Sequence, residues 1–188
     1  MNFCKLMIHS FFHQIYVADL SMIMIFMVIL LIAWSILGAF LYKRMRLIGL
    51  IVSIAYTAII LYATVFSRGE SSLGHDFIPF SSFQRAIELP EFYRSMLMNT
   101  FLFEPIGLAL PFALKGSTAK RVLLSIVIGF ALSFAVEMIQ YFFSLGMAEA
   151  DDVICNTVGT AIGSMSYLLT LLWRKLFLKS EKGGKPDE

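Results

Sequence analysis

"LSMIMIFMVILLIAWSILGAFLYKRMRLIGLIVSIAYTAIILYATVF" (residues 20–66) is two apolar runs parted by Lys43-Arg44-Met45-Arg46. A helix crosses the hydrocarbon core of a bilayer with about 20 apolar residues. Residues 20–42 and 47–66 both meet that length, and so short a connection forces a tight helical hairpin. The same test finds three further spans, at 96–114, 122–143 and 153–173. The fold class is therefore all-α, a polytopic membrane helix bundle with about five transmembrane helices. Composition agrees: 59 % of residues are hydrophobic and 15 % charged, against roughly 45–50 % and ~25 % in soluble domains. The mean hydropathy is +0.79. A net charge of +2 gives no support for a nucleic-acid partner.

Basic residues set the orientation. With the 43–46 turn on the cytoplasmic side, Lys43, Arg44, Arg46, Lys115, Lys120, Arg121, Arg174, Lys175, Lys179, Lys182 and Lys185 all lie inside. Only Lys5, Arg68, Arg85 and Arg94 remain outside, so eleven of 15 basic residues share one face. The N-terminus is then outside and the C-terminus cytoplasmic. Residues 1–19 read as an interfacial helix or an over-extended start, 20–176 as the transmembrane domain and 177–188 as a solvated cytoplasmic tail. The extracytoplasmic loop, 67–95, has room for a short surface helix over 82–96 capped by Ser81 or Ser82. His9 and His13 have a zinc-compatible spacing but no third ligand nearby, so no metal is expected. Cys4 and Cys155 form no disulfide framework, and Cys155 reads as a packing residue.

Acids within spans are costly and usually face a protein interior or a wet cavity. Two stand out here, Glu104 and Glu137. Glu137 lies six residues, about 9 Å, from the outer end of the fourth span, and Glu104 lies at comparable or slightly greater depth in the third. Ser133, Glu137, Gln140 and Ser144 form one helical stripe. Asp152, Asn156, Gly159, Thr160 and Gly163 form another on the fifth span, where Gly159 and Gly163 make a small-xxx-small packing motif. Asn99 and Glu104 bracket an aromatic run in the third span, and Pro105 removes a backbone donor beside them. Arg68, ending the second span, is the nearest counter-ion for Glu137 or Asp152. Simpler roles stand beside these: Asp151 or Asp152 as a helix cap, and Asn156 and Gln140 as interhelical hydrogen-bonding groups.

"NTFLFEPIGLALP" (99–111), the Glu137-x-x-Gln140 pair and "DDVICNTVGTAIG" (151–163) resemble the VanZ-like membrane proteins. "YATVFSRGE" (62–70) and "HDFIPFSSF" (75–83) support the likeness, which covers about residues 56–165. The resemblance implies a bacterial inner-membrane protein with no established enzyme activity and no cofactor. The family's founding member is linked to low-level resistance to the glycopeptide teicoplanin. Asn99, Phe103, Pro105, Gly107, Glu137, Gln140, Asp152, Asn156, Gly159 and Gly163 match the family pattern. One departure stands out: the family often carries an Arg and, three residues on, an Asp, where this chain has Gly146 and Glu149. The corresponding contact is then missing here, or comes from Arg68, Arg85 or Arg94.

Three functional readings follow. The first is a non-enzymatic envelope protein whose polar cluster of Arg68, Asn99, Glu104, Glu137, Gln140, Asp151, Asp152 and Asn156 takes a membrane lipid, a cell-wall precursor or a glycopeptide antibiotic. Pro105, Gly107, Gly159 and Gly163 serve helix packing in that reading. The second is an intramembrane enzyme acting on a lipid-linked substrate with Glu137 and Asp152 as an acid/base pair. It lacks a visible nucleophile, phosphate loop or ligand set, so the enzyme reading is the weaker one and no catalytic residue is assigned. The third is a small transporter using Glu104 and Glu137 as a relay.

Overall fold

The structure is a computed structural model and describes residues 19–69 and 74–182. Its helices are α1 (Leu20–Phe40), α2 (Met45–Leu61), α3 (Ser81–Ala86), α4 (Pro90–Ala113), α5 (Thr118–Phe143) and α6 (Ala150–Lys182). A single π-helical turn, Tyr62–Phe66, continues α2. Two short strands, β1 (His75–Asp76) and β2 (Ala148–Glu149), pair in parallel, His75 opposite Ala148 and Asp76 opposite Glu149. All helices but α3 are long and apolar enough to cross a membrane. At 1.5 Å per residue the 21 residues of α1 extend about 31 Å, the thickness of the hydrocarbon core. The protein is a multi-pass membrane protein.

Burial separates the helices into a centre and a rim. Half of the spanning stretch of α4 and of α6 is buried, while α1 and α2 keep most of theirs outward. Leu47, Leu50, Ile51 and Ile54 of α2 and Met24, Ile25, Val28 and Ile29 of α1 are exposed, the apolar faces that lipid covers. The centre forms because the α4–α6 contact is nearly backbone to backbone. A Cβ at Gly159 would stand 2.0 Å from the Thr100 carbonyl oxygen, one at Gly163 2.2 Å from that of Glu104, and one at Gly107 2.1 Å from that of Thr160. Such distances are far inside contact range, so only glycine permits this approach. Gly129 does the same for α5 against the Thr160 side chain. Thr170 Oγ1 donates to the Ser35 carbonyl (2.9 Å) and Trp173 Nε1 to Ser35 Oγ (3.2 Å), tying α1 to α6.

The structure corrects the reading of several segments. A surface helix over 82–96 does not form: α3 stops at Ala86, and residues 90–96 open the spanning helix α4. Pro90 explains the break, since its fixed φ suits the first turn of a new helix and its missing N–H ends the previous one. Ser81 and Ser82 lie inside α3 rather than capping it; the N-cap position is Phe80, at φ 66°. The last helix begins at Ala150 and runs to Lys182, so the tail expected from 177 is helical in its first residues. The expected interfacial helix over 1–19, with His9 and His13, lies outside the described residues apart from Asp19, which caps α1 by accepting from Ser21 N–H (3.0 Å).

Candidate functional site

The polar residues gather at the end of the bundle opposite the Lys43–Arg46 turn. The loop preceding α3 is pinned there first. Asp76 accepts from the Ser81 hydroxyl (2.7 Å) and Ile78 N–H (3.1 Å) and pairs with Arg85 (2.6 Å). The Ser81 and Ile78 hydrogen bonds, with the Arg85 charge beside them, hold the Asp76 carboxyl below the usual carboxylate range. Arg85 also lies over the Phe92 ring, 4.7 Å from its centre.

Asp151 has an unforeseen role. It lies in the first turn of α6, yet its carboxylate accepts from Phe80 N–H (2.5 Å) and Ser82 N–H (2.6 Å). It therefore caps α3, a different helix about seventy residues upstream, and not its own. The left-handed Phe80 turns the two N–H groups toward it. Beside it, Glu149 accepts from the Ser82 hydroxyl (2.9 Å), and its own N–H donates to Glu137 Oε2 (3.0 Å). The β1–β2 pairing and these carboxylates close the loop over the helix ends.

Below this layer, three interhelical hydrogen bonds join the spans. Asn99 of α4 donates to Asp152 of α6 (2.5 Å). Asn156 of α6 donates to Ser133 Oγ of α5 (2.8 Å), and Asn156 Oδ1 is buried without a partner among the described residues. Gln140 of α5 donates to the Thr64 carbonyl (3.0 Å), inside the π turn that ends α2. A π turn widens the helix and changes its hydrogen-bonding pattern at functional positions in many proteins. Here it gives a side chain on another helix access to a backbone oxygen, and it sets the direction in which Arg68 leaves the span.

Arg68 makes no salt bridge among the described residues. Its guanidinium instead lies against Gly146: a Cβ built there would be 2.7 Å from Arg68 Nη1. From that position its charge reaches Glu137 and Asp152. Glu104 stands apart. Both of its carboxyl oxygens are fully buried without a hydrogen-bond partner among the described residues. The structure thus brings Glu137, Gln140, Asn99, Asp151, Asp152 and Asn156 into contact networks and leaves Glu104 in the apolar interior with Phe103 and Ile106.

A cleft of about 470 Å³ opens beside the cluster, between α5, α6 and the loop. Phe77, Pro79, Phe130, Phe134, Met138, Val153 and Ile154 line it, and Glu137 and Glu149 border it without turning their carboxylate oxygens into it. Of the Glu137 oxygens, only Oε2 has a hydrogen-bond partner among the described residues. The cleft is apolar and lies beside the carboxylate cluster, a surface suited to a hydrocarbon chain. Among the described residues no group of three or more His, Cys, Asp and Glu side chains could hold a metal ion.

Sequence reasoning missed Thr64, the Asp76–Arg85 pair and the part played by Ser82. Thr64 contributes only a backbone oxygen, which no sequence pattern marks. The Asp76–Arg85 spacing of nine residues belongs to no regular element.

The family model described as VanZ/LLP1 matches residues 50–174. A curated relative, Protein VanZ of Enterococcus faecium, is 34 % identical over 98 residues, which cover 48 % of this chain and 58 % of that protein. The match thus spans little more than half the length of the relative. No solved structure matches.

Proposed function

The chain belongs to the VanZ/LLP1 family, and we propose that it acts in the bacterial inner membrane as a non-enzymatic envelope protein. In this reading the 43–46 turn faces the cytoplasm, and the polar end faces outside, where glycopeptides meet their targets. The site binds a lipid, a lipid-linked cell-wall precursor or a teicoplanin-type glycopeptide and thereby contributes to glycopeptide resistance. The observation that carries the reading is the cleft itself. Its walls are apolar and suit a hydrocarbon chain, and it borders Glu137 and Glu149, whose carboxylates would take the polar head in this reading. Three further acids, Glu149, Asp151 and Asp152, gather with Glu137 at this end of the bundle, and capping of α3 accounts only for Asp151.

Expression of the wild type and of Glu137→Gln in a susceptible host tests it through teicoplanin susceptibility. The wild type is expected to raise the inhibitory concentration and the variant to lose most of that gain at equal membrane abundance. Equal susceptibility of wild type, variant and empty vector would remove the resistance reading. Cysteine labelling from either side at Glu149 and Lys120 checks the orientation separately.

A further inference from the structure

The opposite end of the bundle carries a second cleft, unconnected with the carboxylate cluster. It encloses about 430 Å³ between the α1–α2 turn and α6 and is lined by Phe40, Tyr42, Lys43, Arg44, Arg174 and Phe177, with the backbone of Ala39 and Leu41. Three cations line this space, and no acid does among the described residues. The Lys43 and Arg44 side chains have no hydrogen-bond or ion-pair partner among the described residues. By contrast Arg121, at the same end, is already engaged by the Gly116 carbonyl (2.9 Å) and the Tyr167 ring.

Arg174 is held in place without being neutralised. Its guanidinium stacks on the Tyr42 ring at 3.7 Å from the centre. That contact holds the guanidinium over the ring, and none of its N–H groups has a hydrogen-bond or ion-pair partner among the described residues, so they remain available to two oxygens of one phosphate. The other wall is apolar: Phe40 stacks on Phe177 (5.6 Å) and Phe177 on Trp173 (6.1 Å). Aromatic rings of this kind collect at the boundary between headgroups and hydrocarbon. The cleft therefore offers cations on one side and a hydrocarbon-compatible surface on the other, at the end of two membrane-spanning helices.

We propose that this cleft is a binding site for the headgroup of an anionic glycerophospholipid, its phosphate held by Lys43, Arg44 and Arg174 and its first methylenes against Phe40 and Phe177. Basic pockets between membrane helices take such headgroups in general. A free phosphate would use only the cations and would leave the aromatic wall empty, so the lipid is the better fit. The site stands independently of the function assigned to the opposite end.

The test is native mass spectrometry of the full chain in detergent, titrated with phosphatidylglycerol or phosphatidylcholine of the same acyl chains. The expected result is selective retention of phosphatidylglycerol, falling as salt rises. Lys43→Gln with Arg44→Gln removes two exposed, unpartnered charges and should cut that retention about tenfold or more. Arg174→Lys keeps the charge, loses the stack and should give a smaller loss. Lys115→Gln with Lys120→Gln removes the same charge at the same end outside the cleft and should leave retention unchanged. Equal retention of the two lipids, an unaltered Lys43/Arg44 variant, or equal loss in the Lys115/Lys120 variant would overturn the proposal. Displacement of phosphatidylglycerol by inorganic phosphate at equal concentration would overturn the lipid assignment.

Discussion

Replacing Asp151 with Ala should release the loop over the polar end while leaving the helical bundle intact. The side chain is buried and accepts two backbone N–H groups, Phe80 at 2.5 Å and Ser82 at 2.6 Å. Truncation leaves both donors without an acceptor, at about 1–3 kcal/mol each, so roughly 2 kcal/mol is a lower bound. Other contacts at this end, such as Asp76 to Arg85 and Glu149 to Ser82, remain, so the loss should open residues 77–88 locally. Two kcal/mol corresponds to about 30-fold faster amide exchange in that segment. Hydrogen-exchange mass spectrometry of the detergent-solubilised protein reads it directly, with peptides from α5 as the internal reference. Asp151→Asn retains one acceptor oxygen and should show an intermediate change. If exchange over 77–88 stays within threefold of wild type in Asp151→Ala, the carboxylate does not cap α3 and the reasoning fails. Acceleration everywhere would mean global destabilisation, and Asp151→Asn would then separate the two effects.

Three further outcomes follow from the geometry. Gly159→Leu should lower the thermal midpoint in detergent, because its Cβ meets the Thr100 carbonyl at 2.0 Å and overpacking of this kind costs about 1–3 kcal/mol or more; Gly69→Leu, with open space around it, should not. Asp76 titrates below its ordinary value of 3.8, so its stabilising contacts are fully present above that pH and are lost as pH falls through the lower folded-state value. The midpoint difference between wild type and Asp76→Asn should accordingly be constant from pH 7 to 5 and shrink toward pH 3; a difference that grows on acidification would contradict the assignment. Arg68→Ala should reduce any glycopeptide protection that Glu137→Gln reduces, and adding Gly146→Arg to it should not restore full protection, because φ at 146 is 130° and disfavours any side chain. Full rescue in susceptibility assays would show that the loop adapts.

The spans were legible because their length and apolarity decide the matter within one segment. The Glu137–Gln140 stripe and the Gly159–Gly163 pair were legible for a similar reason, since helical periodicity places them without knowledge of any other element. What failed were statements about partners. Asp151 read as a cap for its own helix because helix-start rules are local, whereas its donors lie at Phe80 and Ser82, across the loop. Arg68 is different: read as a counter-ion from charge and depth, it lies where its charge acts on Glu137 and Asp152, without a salt bridge among the described residues, and only its contact with Gly146 went unmarked in the sequence. Glu104 shared the depth of the cluster without sharing its direction; a single span fixes depth and not which neighbour a side chain meets. Pro90 carried a usable signal, the first-turn preference of proline, which should have started the third span earlier.

The Arg68–Gly146 contact bears on the point at which this chain departs from its family. Where relatives often place an arginine, this chain has a glycine at φ 130°, a conformation that disfavours any side chain. The space is not vacant, because Arg68 Nη1 stands 2.7 Å from where the Cβ would be. Three features put it there: the π turn that reorients the end of α2, Gln140 holding that turn through the Thr64 carbonyl, and a residue at 146 without a Cβ. A cation near Glu137 and Asp152 is thus supplied from a different helix. Desolvated acids at the rim of a membrane protein are costly without a compensating charge. In this chain that compensating charge comes from Arg68, at the end of the second span.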